Sequence, residues 1–171
     1  MRKARLPDDK IFLRNARGDE FEPYAALMAE ADALHHAHLP ALIKPPDRAK
    51  PLESEFMAIL QDPNQILDVA VVDQDEHQTV AGFIHAQRLV RPEGRVHRPN
   101  TAVRIELIVV ASSMRRLGIG RKLIARAHAW AREKHAEMMV LDAYAFIIVA
   151  GRLYEKTGFR VLTKRYAVSL D

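Results

Sequence analysis

The sequence predicts a single α/β domain in which a β-sheet of about six to seven strands is flanked by about four helices. Three observations predict it. Stretches rich in β-branched residues alternate along the chain with stretches whose apolar residues recur at helical spacing. The length, 171 residues of which 49% are hydrophobic, suits one continuous core without metal or disulfide staples. No internal repeat, low-complexity tract or domain linker divides the chain, so the domain is expected to span residues 1–171, with residues 1–9 as a flexible tail.

After that tail, Ile11 to Ala16 reads as a strand. Asp19, with Glu22 three residues on, forms a capping box that opens a helix, along which Phe21, Tyr24, Met28 and Ala31 recur on one face and Leu27 and Leu34 broaden the stripe. This helix should end near His38-Leu39-Pro40. Four prolines between Pro40 and Pro51 then make a loop before a second helix, which carries Phe56, Ile59 and Leu60 and is stopped by Asp62-Pro63-Asn64. Gln65 to Val72 and Thr79 to Val90 form an antiparallel hairpin about the polar Asp73 to Gln78, and a second polar loop, Arg91 to Asn100, leads into the strand Thr101 to Val110. Gly118 to Lys134 is helical by the spacing of Ile119, Leu123, Ala127 and Trp130, and Met138 to Ala143 is the next strand. Ile147 to Thr157 reads as a helix closed by Gly158, after which Phe159 to Val161 and Arg165 to Leu170 complete the sheet.

Composition removes several classes of function. With no cysteine there is no disulfide framework, thiolate metal site or cysteine nucleophile. The basic N-terminus is followed by Asp8, Asp9 and Lys10 where a secretory signal would be apolar, and the longest apolar runs fall far short of the roughly 20 residues that cross a bilayer. A cytoplasmic protein is expected. The formal charge of +4 would suit nucleic acid, but the 22 acidic residues are dispersed and aromatics are only 6%, so a basic pocket for an anionic small molecule accounts for it equally well.

Such a pocket is suggested where the strand ending at Val110 meets the helix starting near Leu117, through Arg115-Arg116-Leu117-Gly118-Ile119-Gly120. The first amides of a helix lack intrahelical partners and carry the positive end of its dipole, which favours a phosphate. Gly118 and Gly120 let the main chain approach a ligand closely, and Arg115, Arg116, Arg121 and Lys122 surround it with charge. The same residues would also serve a tight strand-to-helix turn with a solvated basic face. A Walker loop needs Gly-Lys-Ser/Thr, but Gly120 is followed by Arg121-Lys122; a dinucleotide fingerprint starting at Gly118 needs a glycine where Leu123 stands.

The loop resembles the signature Arg/Gln-x-x-Gly-x-Gly/Ala of the GNAT superfamily of N-acetyltransferases, as Arg115-x-x-Gly118-x-Gly120. A second family element, Leu-Tyr-Glu-Lys-x-Gly-Phe, stands intact as Leu153 to Phe159. The resemblance implies a mixed, mostly antiparallel sheet. It also implies acetyl-CoA as cosubstrate, its pyrophosphate held by amides of Arg115, Arg116, Leu117, Gly118, Ile119, Gly120 and Arg121 and its pantetheine arm paired like an added strand with the backbone of Ile108, Val109 and Val110. Two departures stand out: Ile147 takes the place of an Asn that often helps hold the cofactor, and Ala111-Ser112-Ser113 replaces the commoner Asp-Pro turn.

Acetyl transfer to a primary amine needs a neutral nucleophile, whereas an alkyl ammonium, like Lys, loses its proton only near pH 10.4, so a group must take that proton. Glu106, on the strand entering the loop where many relatives place an acid, is the candidate base; binding a cationic substrate or orienting a loop arginine are its other roles. Tyr154, by its place in the second element, is the candidate donor to the departing thiolate, and it would otherwise pack within its helix stripe. The oxyanion would rest on an amide near Val109 or Val110. His35 and His38 share a helical face, but no carboxylate follows at ligand spacing, so no metal is expected; with Tyr144 and Phe146 they would line the acceptor end of the cleft. A non-catalytic acyl-CoA sensor is the alternative function and a nucleic-acid module a third. The expected acceptor is a small-molecule or peptide amine, with no nucleic acid or membrane partner. The resemblance allows a homodimer through the late strands, common in the family, although nothing in the sequence specifies one.

Overall fold

A computed structural model describes residues 10–48, 50–74, 77–168 and 170; the expected tail of residues 1–9 lies outside them. The chain runs β1 (Ile11–Asn15), α1 (Phe21–His38), α2 (Glu53–Gln61), β2 (Gln65–Gln74), β3 (His77–Arg91), β4 (Asn100–Val110), α3 (Ile119–Glu133), β5 (Met138–Leu141) and α4 (Ile148–Lys156). The strands lie side by side in chain order in a five-stranded sheet. β1 to β4 are antiparallel, and only β5, which returns through α3, is parallel to its neighbour β4.

The sheet is apolar on both faces because each is covered by helices. Against one face lies α3, whose Ile119, Leu123, Ala127 and Trp130 pack on Ile84, Val103 and Ile105. Against the other lie α1 and α2: Tyr24 and Phe56, with rings 5.0 Å apart, pack over Leu67, Val69 and Phe83. A buried ion pair ties α3 to the sheet, with Arg126 Nε 2.7 Å from Oδ2 of the fully buried Asp68 on β2, while Asn15 Nδ2 of β1 donates to Asp68 Oδ1 at 2.6 Å.

Three expectations are corrected. The sheet has five strands among the described residues, because Phe159–Val161 and, of the expected last strand, Arg165 to Val168 and Leu170 join no ladder, and Tyr166, Val168 and Leu170 are at least 81% exposed. β-branched and aromatic residues favour an extended chain, but a strand exists only where a partner edge meets it. The capping acid before α1 is Glu20 rather than Glu22: its carboxylate accepts the Arg17 amide at 2.8 Å and is clasped by both terminal nitrogens of Arg14. The strands of the β2–β3 hairpin run on to Gln74 and His77, so the polar loop expected over Asp73 to Gln78 is largely paired.

Two irregularities shape the site. In the β3–β4 ladder His85 faces Leu107 and Ala86 faces Ile105, so Glu106 is an extra residue bulged out of β4. On the other side of β4, β5 pairs only with Ala102 to Ile105 and ends at Leu141. From Glu106 to Val110 the edge of β4 facing β5 is therefore open.

Candidate active site

The open edge leads straight into the glycine loop. Ala111 donates its amide to Ala81 of β3 at 2.9 Å, and since backbone groups alternate sides along an antiparallel strand, those of Val110 and Ile108 are turned toward the opening. The side chains of Ile108 and Val110 pack partly into the core while Val109 is buried on the opposite face, so what these residues offer a ligand is backbone.

Beyond β4 the chain makes a short 3-10 turn (Ser112–Met114), then passes through two left-handed residues, Arg116 (φ 72°) and Gly118 (φ 93°), before α3 begins. The turn is anchored by Glu30 of α1, which accepts the Ser112 amide at 2.9 Å and lies 3.9 Å from the Arg115 guanidinium. Arg115 Nε donates to the Val110 carbonyl at 3.1 Å, so its side chain braces the loop. Leu117 and Ile119 are buried and contribute amides alone. The amides of Arg121 and Lys122 turn inward to the Gly118 carbonyl, at 3.1 and 3.2 Å, which leaves those of Gly118, Ile119 and Gly120 as the helix-start donors with no acceptor inside α3. Arg121 thus adds exposed charge, its amide being engaged.

Gly120 is where β4, α3 and α4 converge. A Cβ there would come within 3.0 Å of Leu153 and 4.0 Å of Val110. The next residue along α4 from Leu153 is Tyr154, half-buried with its ring centre 6.1 Å from that of Phe159 in an edge-to-face arrangement; burial pushes its phenol above the ordinary tyrosine range, so it remains a proton donor at neutral pH. Ile147 caps the start of α4, its carbonyl accepting the Gly151 amide at 3.1 Å, and Gly158 (φ 97°) follows its end.

On the α1/α2 side of the sheet, Glu106 reaches back two residues to Arg104, Oε1 lying 2.6 Å from Nε. His85 stands on the adjacent strand. Its Nε2 is 2.7 Å from Gln65 Oε1, and Gln65 Nε2 in turn donates to Asp62 Oδ2 at 2.8 Å. Burial lowers the His85 pKa below the ordinary histidine value, with the Glu106 charge opposing it. Nothing in the sequence marks His85, because one histidine in an apolar strand has no spacing to single it out; the signal lies in the register, which sets it beside the bulge.

At the far end of α1, His35 and His38 meet the β5–α4 loop. The His38 ring stacks on Phe146 at 4.2 Å, His35 lies 5.1 Å from Tyr144, and Tyr144 stacks on Phe146 at 5.4 Å. The four residues expected to line the acceptor end thus form one aromatic wall.

The acetyltransferase (GNAT) family model matches residues 31–159, from the middle of α1 to the residue after Gly158. Among curated proteins no sequence matches the chain. Similar solved structures include a mutant of the BH1408 protein of Bacillus halodurans, with a TM-score of 0.85 at 19% identity over 93% of this chain and 99% of that one. A protein described as a transcriptional regulator from Bacillus halodurans C-125 superposes with a TM-score of 0.69 at 19% identity, over 94% of this chain and 99% of its own. The aminoglycoside N-acetyltransferase AAC(6')-Iy, in complex with CoA, gives 0.62 at 19% identity over 94% of each chain. At these identities the superpositions speak for the fold alone, which is the mixed, mostly antiparallel arrangement described above. The family match covers about three quarters of the chain, and with that coverage the protein belongs to the acetyltransferase (GNAT) family.

Proposed function

We propose that this chain transfers the acetyl group of acetyl-CoA to a primary amine. The observation that carries this reading is the open edge of β4 from Glu106 to Val110, running into the unshared amides of Gly118, Ile119 and Gly120. An extended pantetheine arm matches the first feature and a pyrophosphate the second. At Gly120 a side chain would crowd Leu153, so glycine there lets α4 close against the start of α3 beside these amides.

In this reading the amine attacks the thioester carbonyl directly. The C–N bond forms, the amide of Val110 steadies the oxyanion, that of Val109 being turned to β3, and collapse of the tetrahedral intermediate breaks the C–S bond. Tyr154, protonated at neutral pH, hands its proton to the departing thiolate, and Glu106 places negative charge where a cationic acceptor arrives. Small-molecule amines such as the aminoglycosides acted on by one structural neighbour are the acceptors most in keeping with the wall of His35, His38, Tyr144 and Phe146. The exposed row Tyr166, Val168 and Leu170 supports a homodimer that would cover it.

A binding-only role is the second reading, supported by Ile147 in place of the family's Asn and by a regulator among the structural neighbours. One experiment separates the two. Calorimetric titration with CoA is expected to show binding, and incubation with acetyl-CoA and a panel of amines to release thiol. Binding without turnover on any amine would leave the sensor, and absence of CoA binding would sink both.

A further inference from the structure

We propose that His85 is the base that takes the proton from the acceptor ammonium, held in the correct tautomer by Gln65 and Asp62; this rests on the acetyl-transfer reading above. The chain of hydrogen bonds leaves little freedom. Asp62 accepts the Asn64 amide on one oxygen and Gln65 Nε2 on the other, and these bonds hold its carboxyl below the usual range, so it is an acceptor only. Gln65 must then turn its NH2 toward Asp62 and its carbonyl toward His85. Facing a carbonyl, His85 Nε2 carries the hydrogen, and in the neutral ring the lone pair is confined to Nδ1.

Position and charge suit the task. The β3–β4 bulge sets His85 opposite Leu107, next to the extra residue Glu106, at the point where the edge of β4 opens. The other titratable or charged groups around it are Asp62 after α2 and Arg104 on β4; across the same face are Tyr24 of α1 and the two acids whose charge acts on it, Asp32 of α1 and Glu55 of α2. Of these, Glu106 is the one whose charge acts on the ring, and it favours the imidazolium. Burial keeps the ring neutral, and so ready to accept, at the pH where an amine substrate is still an ammonium. Arg104, by contrast, holds Glu106 in an ion pair that a proton-accepting carboxylate would have to give up.

The protons balance. His85 Nδ1 takes one proton from the ammonium and later loses it to solvent. The free amine attacks, the nitrogen of the tetrahedral adduct loses a second proton, and one proton ends on the thiolate, so that the reaction releases one net proton with CoA and the acetamide.

The test has two arms. Nitrogen chemical shifts of the His85 ring in labelled protein are expected to show hydrogen on Nε2 and a bare Nδ1, and in Gln65→Leu a mixture of tautomers. In steady-state kinetics His85→Gln is expected to lower kcat about 100-fold, with CoA affinity and the amine KM preserved, and to remove the acid limb of the pH profile. Gln65→Leu, a positioning variant, should lower kcat with KM unchanged. A kcat within about threefold of wild type with the same acid limb in His85→Gln would overturn the proposal while leaving acetyl transfer standing. Should His85→Gln not fold, an unchanged kcat and pH profile in Gln65→Leu would overturn it in the same way. Wild-type protein that binds CoA but acetylates no amine would overturn the acetyl-transfer reading, and the role of His85 with it.

Discussion

Glu106 and Tyr154 occupy different kinds of surroundings, and their proposed roles follow from the difference. Tyr154 is half-buried with no charge acting on it, and burial alone raises its phenol, which keeps the proton in place for donation. Glu106 sits on a bulge at the surface with a guanidinium 2.6 Å away, an arrangement that presents charge. Tyr154→Phe removes the donor and keeps the ring against Phe159, so kcat should fall about 10- to 100-fold while CoA binding, followed by calorimetry, stays within about twofold. Equal turnover would take Tyr154 out of the chemistry. Glu106→Gln deletes the charge that raises the His85 pKa, so the acid limb of the rate profile should move to lower pH at a reduced maximum. A limb that stays in place would mean the two groups are not coupled.

At the scale of elements, the loop between β4 and α3 works by its backbone. Its conformation depends on a left-handed residue at Gly118, the N-cap of α3, and on Glu30 of α1 and Arg115 holding the preceding turn. An alanine at Gly118 meets the left-handed penalty of about 1 to 2 kcal/mol. Either the fold carries that strain or the loop shifts and its amides lose their common direction. Gly118→Ala is therefore expected to lower the Tm by roughly 2 to 8 °C and to weaken CoA binding about tenfold or more, with the far-ultraviolet spectrum unchanged. Undiminished CoA affinity would exclude these amides as the anion site.

Across the whole molecule, the two faces of the sheet are held differently. The α1/α2 face is closed by aromatic packing around Phe56, whereas the α3 face is pinned by the ion pair of Arg126 with buried Asp68. Burial pushes the Asp68 carboxyl above its ordinary value even with Arg126 beside it. A folded-state pKa above the unfolded one contributes stability below the unfolded value, about 3.9, and that contribution is lost as pH rises through the folded value. At a pH above that window Asp68 is thus no net gain over a neutral group of the same shape. Asp68→Asn should lie within about 1 kcal/mol of wild type at neutral pH and lack this pH-dependent contribution, whereas Asp68→Ala, which strands Arg126 and the Asn15 amide, should lose about 3 kcal/mol in chemical denaturation. Among the described residues no helix is long and apolar enough to cross a membrane.

What the sequence by itself determined was local and ordered along the chain. The four helices, the first five strands, and the glycines at the strand-to-helix junction follow from periodicity, breakers and caps that act within a few residues, and two motifs in register carried the family. What only the tertiary structure decided depends on partners far apart in the chain. Phe159–Val161 and, of the expected last strand, Arg165 to Val168 and Leu170 have strand composition but pair with no strand, so local preference went unrewarded. Glu22 had the spacing of a capping acid, but Glu20 has Arg14 within reach and takes the position. His85 acquires meaning from a one-residue bulge in β4 and from Gln65 twenty positions earlier, because a ladder's register, set by the whole core, determines which side chains share a face.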